Sequence, residues 1–190
     1  MNESLSSDNA WLYSSLHHTQ LPITLHFLMF SLCIQYLGDD DQAQELMPLV
    51  KDMKIIGNYS QTEMGHGSNV RGLMTTAKYD KKTKEFVINT PCAAAAKCWP
   101  GDLGVTSTHA AVFAQMEVDG TNYGPQCFVV PIRDPVSHAA LPGIEVGDIG
   151  PKYGFDVKDN GYMILSDVRV PRRALLSRYI GVDAQGEVKM

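Results

Sequence analysis

Two short segments of this 190-residue chain combine residue types that can approach a planar or anionic ligand. The first, Gln61-Thr62-Glu63-Met64-Gly65-His66-Gly67-Ser68-Asn69, sets two glycines among Ser and Thr, so backbone amides can come close to a phosphate or a ring edge. The second, Lys97-Cys98-Trp99-Pro100-Gly101-Asp102-Leu103-Gly104, puts an aromatic beside Pro-Gly. That makes a flat wall next to an exposed backbone amide, which suits a planar heterocycle whose edge accepts hydrogen bonds. Each has a plainer reading when taken alone. Glycine-rich turns after strands are common, and a tryptophan in a turn ordinarily packs into a core. The first segment lacks the Gly-Lys-Ser/Thr of a Walker loop, and no G-x-G-x-x-G opens a helix. Ser68 beside His66 makes no nucleophile elbow.

Other reactive side chains are less informative. His17-His18 has no partners at metal-ligand spacing, and His109 and His138 are isolated, as structural histidines usually are. Arg172-Arg173 after Pro171 reads as a solvated edge. No metal site is expected. Cys33, Cys92, Cys98 and Cys127 show no CxxC spacing and read as reduced, mostly buried thiols. The net charge is −5 without clustered Lys and Arg, which argues against nucleic acid as a partner. The most apolar run, Leu21 to Leu37, contains His26 and Gln35 and is short for a bilayer span, so a buried helix is expected there and no membrane span. No cleavable signal or Arg-rich transit pattern precedes it. The glycosylation-type triplets Asn2-Glu3-Ser4 and Asn58-Tyr59-Ser60 read as chance matches.

The elements that must position the two segments follow from periodicity. Residues 1–21 read as a flexible start. Pro22 suits a first helical turn, Ile23, Phe27, Phe30, Ile34 and Leu37 recur at spacings of three and four, and Gly38 stops that helix. Asp39-Asp40-Asp41 caps a second helix with Ala43, Leu46, Met47, Val50 and Met53 on its buried face and a kink at Pro48. After Ile55 the texture turns to strands: Leu73–Tyr79, Glu85–Asn89, Thr108–Val118, Gly124–Ile132 and Tyr162–Val170, separated by Gly, Pro, Asn and Asp turns. Two helices followed by a block of strands predict an α+β chain with an antiparallel sandwich or barrel.

Taken together and in order, these segments resemble the acyl-CoA oxidases of peroxisomal type, relatives of the acyl-CoA dehydrogenases. The similar stretches are Gln61 to Asn69, Trp99-Pro100-Gly101 with Thr108-His109-Ala110, Phe128-Val129-Val130-Pro131-Ile132-Arg133 and Leu141-Pro142-Gly143-Ile144. They continue with Gly147-Asp148-Ile149-Gly150-Pro151-Lys152, Asp159-Asn160-Gly161-Tyr162 and Val168-Arg169-Val170-Pro171-Arg172. Dehydrogenases usually carry a Trp-Ile-Thr type of sequence at the second segment, so the oxidase branch fits better.

The resemblance implies residues 22–54 as the end of an acyl-CoA dehydrogenase-like helical domain and 55–175 as a middle antiparallel β-barrel. Residues 176–190 would start a linker to a C-terminal helical domain. It further implies FAD bound with Thr62 and Gly101 in contact and Trp99 near the ring, Ser68 near the CoA arm, acyl-CoA and O2 as partners, a homodimer, and a peroxisomal location. The implied reaction oxidises acyl-CoA to trans-2-enoyl-CoA with release of hydrogen peroxide, the first step of fatty-acid β-oxidation. The family's catalytic Glu lies in the C-terminal helices, so no catalytic residue is expected here, and Glu63 belongs to the cofactor loop. The chain then reads as a fragment or truncated paralogue, inactive by itself. The alternatives are an acyl-CoA dehydrogenase and a non-catalytic binding module. Two departures stand out: Cys98 where many oxidases have an aromatic, and Asp102 where many have a second glycine.

Overall fold

The computed structural model describes residues 23–190; residues 1–21, read above as a flexible start, lie outside them, as do Pro22, His17-His18 and the Asn2 triplet. The first helix opens with a π-helical turn, His26–Phe30, and continues as α1, Ser31–Leu37. Gly38 ends it, but with φ −73° and ψ 147° it is extended, not left-handed. Glycine is needed there for space: a Cβ would lie 2.6 Å from the carbonyl oxygen of Ile34. Asp39 caps α2, Asp40–Lys51, in a capping box with Gln42. The helix runs through Pro48, and the residues fully buried on it are Gln42 and Val50. The predicted apolar face is only half-buried at Ala43, Leu46, Met47 and Met53. Gln42 is buried because its side-chain amide donates to the carbonyls of Arg173 (2.8 Å) and Leu175 (2.7 Å), tying α2 to the end of the strand region.

Eleven short strands follow among the described residues: β1 Gly57–Ser60, β2 Thr76–Asp80, β3 Glu85–Asn89, β4 Lys97–Cys98, β5 His109–Val118, β6 Thr121–Pro131, β7 Ile144–Asp148, β8 Gly161–Leu165, β9 Val168–Pro171, β10 Gly181–Val182 and β11 Val188–Lys189. β5 and β6 form a long hairpin. Asp119 (φ 51°) and Gly120 (φ 76°) supply the two positive φ angles of its tight turn, with Val118 opposite Thr121. The predicted run Tyr162–Val170 is broken at Asp167 (φ 51°) into β8 and β9, which join different sheets.

The expected antiparallel arrangement holds for most pairings and fails at two. β1 and β2 both run parallel to β5, on its His109–Val112 and Gln115–Glu117 halves. β2, β3 and β9 continue that sheet, and β4, β8 and β7 form a separate three-stranded one.

Both faces of the β5–β6 hairpin are covered, which explains its nearly unbroken apolar sequence. Ala110, Val112, Ala114, Met116, Phe128 and Val130 enter the main core with Phe86, Ile88, Met163 and Leu165. Ala111, Cys127 and Val129 face the helices, packing with Phe30, Cys33, Ile34 and Val50. His26 joins helix to sheet. Gly57 donates its N–H to His26 Nδ1 (3.0 Å), so Nε2 carries the proton and donates to the Val50 carbonyl (3.1 Å). Burial lowers its pKa, in keeping with a neutral ring. A Cβ on Gly57 would lie 2.2 Å from the Phe30 ring, so glycine lets this π-helical turn rest on β1. Cys33 and Cys127 are buried as expected, whereas Cys98 is half-buried and Cys92 is exposed.

Candidate functional site

The loop after β1 is pinned from below. Glu63 and Lys97 form an ion pair of 3.1 Å with both side chains fully buried. Glu63 also accepts from the Met74 and Thr75 amides (2.8 and 2.9 Å) and from the Thr75 hydroxyl (2.6 Å). Lys97 Nζ donates further to the carbonyls of Gln61 (3.2 Å) and Phe113 (2.6 Å). Burial is the strongest influence on Glu63 and raises its pKa. The Thr75 hydroxyl, the Lys97 charge and the two amides together outweigh it and leave the carboxylate below its usual value. Burial lowers Lys97 to about 8 against the attraction of Glu63. A carboxylate so fully engaged in buried hydrogen bonds and an ion pair holds a loop in place. Thr62, between the two carbonyl-bonded positions, accepts the Cys98 amide on its own carbonyl (3.0 Å). That aligns it beside β4.

The second segment is clamped on three sides. Trp99 donates its amide to Gly161 O (2.9 Å), Gly161 donates to Pro100 O (3.0 Å) and Gly104 donates to Asp159 O (2.9 Å). Asp159 Oδ2 accepts from the Val105 and Thr106 amides, both at 2.7 Å. From the opposite side the buried Arg133 donates to the carbonyls of Ser107 (2.7 Å), Leu103 (2.9 Å) and Gly104 (2.7 Å). A Cβ on Gly161 would come within 2.5 Å of the Gly104 amide nitrogen, so the two backbones meet because residue 161 is glycine, while a Cβ on Gly104 would meet Asp148.

Within this clamp Trp99 has φ 81°, an uncommon angle for a bulky residue, and Asp102 has φ 66°. Strain of this kind costs about 1–3 kcal/mol and concentrates at functional sites. Trp99 is 53% exposed, so the reading of a core-packing tryptophan does not hold. Asp102 is buried against Lys158 (2.9 Å), a pairing of residues far apart in sequence. Burial pushes the Asp102 carboxyl up to about 6 despite the ammonium. The turn is buried at Gly101, Asp102, Leu103 and Gly104.

Thr62, Trp99 and Gly101 line one cavity of about 270 Å³, with Tyr59, Phe155, Lys158 and Asn160 among its other walls. A Cβ on Gly101 would lie 2.8 Å from Leu25 Cδ1 and 3.4 Å from Lys158 Cδ, so this position admits no side chain without displacement. Aromatic and aliphatic walls with few polar groups suit a planar ring. The volume lies just below the roughly 300–1,000 Å³ usual for small-molecule sites. It has room for part of a large cofactor. Ser68 lies on the exposed part of its loop and does not line this cavity. His109 stands elsewhere, beside Pro131 and Arg172, with burial lowering its pKa to about 4. Among the described residues no group of three His, Cys, Asp or Glu could hold a metal, and no helix is long and apolar enough to cross a membrane.

The sequence motifs did not single out Lys158 or the Arg133 clamp, and gave Asn160 no role. All three act through contacts to residues distant in the chain, and a run of residue types does not record such contacts.

The acyl-CoA dehydrogenase middle-domain family matches residues 58–168, and the acyl-coenzyme A oxidase N-terminal family matches residues 1–56. Peroxisomal acyl-coenzyme A oxidase 1 of Rattus norvegicus is 47% identical over 165 residues, 87% of this chain and 25% of that protein. Its Homo sapiens counterpart is 44% identical over 181 residues, 94% of this chain and 27% of that protein. The chain thus spans about a quarter of the length of the curated relatives it matches. Among solved structures, Arabidopsis thaliana acyl-CoA oxidase 1 superposes with a TM-score of 0.93 at 42% identity, over 97% of this chain and 29% of that one. Caenorhabditis elegans acyl-CoA oxidase-1, complexed with FAD and ATP, gives 0.87 at 45% identity over 88% of this chain and 26% of that one. The chain belongs to the acyl-CoA oxidase family, kin to the acyl-CoA dehydrogenases.

Proposed function

We propose that this chain carries the barrel-side half of the flavin site of an FAD-dependent acyl-CoA oxidase. The observation that carries the reading is the convergence of Thr62, Trp99 and Gly101, taken from two separate motifs, on one cavity with aromatic walls. The residues fit the group: Gly101 leaves the backbone bare, Trp99 offers a flat face, and Thr62 brings a hydroxyl and an amide. When bound, FAD supplies the hydride acceptor for oxidation of acyl-CoA to trans-2-enoyl-CoA and delivers the electrons to O2 as hydrogen peroxide. In this reading Thr62 and Gly101 bind and orient the ring, Trp99 shields it from water, and Ser68 approaches the CoA arm from the loop rim. Glu63 moves no proton, because its oxygens are already committed to Lys97, Met74 and Thr75.

The accompanying division is a helical segment to residue 54, a barrel over 55–175 and a linker from 176. The switch of matching family between residues 56 and 58 supports the first boundary. The names of the relatives support a peroxisomal setting. A homodimer belongs to the same reading.

Titration of the purified chain with FAD, followed by flavin fluorescence, tests it. Saturable binding is expected, weakened by Thr62→Val about 2–10-fold, the worth of one hydrogen bond. No acyl-CoA-dependent peroxide is expected from the chain by itself. Absence of FAD binding would overturn the reading.

A further inference from the structure

The buried ion pair Lys158–Asp102, 2.9 Å long, stands at the wall of the cavity that Thr62, Trp99 and Gly101 line. Lys158 is the only Lys, Arg, Asp or Glu among the described residues of that lining. Tyr59, the other titratable group there, is raised to about 12, chiefly by burial, and stays neutral. Burial raises the Asp102 carboxyl to about 6, so it is ionised at neutral pH and the pair is complete.

Lys158 Cδ lies 3.4 Å from the point where a Cβ on Gly101 would stand, so the stem of Lys158 closes the wall beside that glycine. The ammonium lies beyond the stem and the carboxylate beyond the ammonium; Asp102 is fully buried and is not part of the lining. Of the two charges the positive one is therefore nearer the cavity. Neither has to touch a ligand to act on it, because a buried charge is weakly screened and is felt over several ångströms. Stability does not account for the pair, since a buried ion pair is often no better than apolar groups of the same size. Asp102 also sits at φ 66°, an angle that glycine adopts more readily. Such a field acts on a ligand whose charge changes.

Hydride transfer from the β-carbon of acyl-CoA brings two electrons and one proton to a neutral flavin ring and leaves it with one negative charge. We propose that Lys158 sets the potential of the bound flavin: its ammonium, held in place by Asp102, stabilises that negative charge through space and so favours the reduced ring over the oxidised one. The proposal rests on the flavin reading and deepens it.

The test titrates oxidised FAD, and dithionite-reduced FAD without oxygen, into the purified chain and two variants, with circular dichroism to check folding. The readout is the preference for reduced over oxidised FAD. It should be about tenfold greater in the parent than in Lys158→Met, which corresponds to a bound potential about 30 mV higher for a two-electron couple. Asp102→Asn/Lys158→Met removes both charges, leaves neither one buried alone, and should also fall below the parent; it carries the test where Lys158→Met does not fold. The assignment is overturned if the preference is the same in the parent and in the folded variants. That includes weaker binding of both forms by one common factor, which a merely structural pair would give. A parent chain that binds neither form overturns the flavin reading itself and this assignment with it. Binding of both forms with an unchanged preference removes only the assignment.

Discussion

Replacing Lys97 by Met leaves the Glu63 carboxylate buried without its cation, and the structure allows the cost to be worked out. Removing one partner of a buried ion pair typically costs about 3–5 kcal/mol, because the remaining charge is uncompensated. Glu63 keeps three donors, the Met74 and Thr75 amides and the Thr75 hydroxyl, all at 2.9 Å or less. That places Lys97→Met at the low end, about 3 kcal/mol. Against a total stability of roughly 5–15 kcal/mol for a domain, such a loss is large. Glu63→Gln combined with Lys97→Met should cost about 1–3 kcal/mol less than the sum of the two single changes, since the double variant buries no net charge. Urea unfolding followed by circular dichroism measures all three variants. A Lys97→Met cost below about 1 kcal/mol, or strict additivity in the double variant, would show that the pair does not pin the Gln61–Gly67 loop.

Three further outcomes are expected. His109 has its pKa lowered by burial to about 4 from 6.5, so the unfolded chain binds more protons between those values. Stability from this group is fully present above pH 6.5 and falls on acidification toward pH 4 by up to about 3 kcal/mol, and His109→Gln should flatten that stretch of the stability–pH curve. Gly101→Ala should cost both stability and FAD affinity, because its Cβ would stand 2.8 Å from Leu25 Cδ1, and Gly101→Asp should cost more by adding a buried charge; unfolding midpoints and FAD titration read the two effects. Asp102→Asn leaves the Lys158 ammonium buried without its carboxylate and should destabilise by about 3 kcal/mol, with Asp102→Asn/Lys158→Met recovering part of that loss in the same unfolding assay.

Local chemistry made much of the fold legible. β3 spans Glu85–Asn89 as read from its alternation, Asp119-Gly120 makes the hairpin turn, and the Asp39 cap starts α2. Each depends on neighbours in the chain. Strand direction does not: residue types mark β2 and β5 as strands but say nothing about their pairing in parallel, with β1 on the same edge of β5. Gly38 was legible as a glycine position and misread in cause: it makes room for a carbonyl, a role that does not follow from a turn preference. Thr62, Trp99 and Gly101, which the resemblance assigned to one site, lie in contiguous motifs and line one cavity. Lys158 and Asn160 reach the same cavity from a remote segment, and Asp102 meets Lys158 only once the chain has folded.

The central claim is that Trp99, Gly101 and Thr62 form one wall of a flavin site, and Trp99 can report on it directly. The chain has two tryptophans, so Trp11→Phe leaves Trp99 as the only indole. Titration of that variant with FAD should quench its emission saturably. ADP, which lacks the isoalloxazine ring, should leave the emission unchanged, and the added change Gly101→Asp should remove the response to FAD. No quenching by FAD, or equal quenching by ADP, would contradict the account.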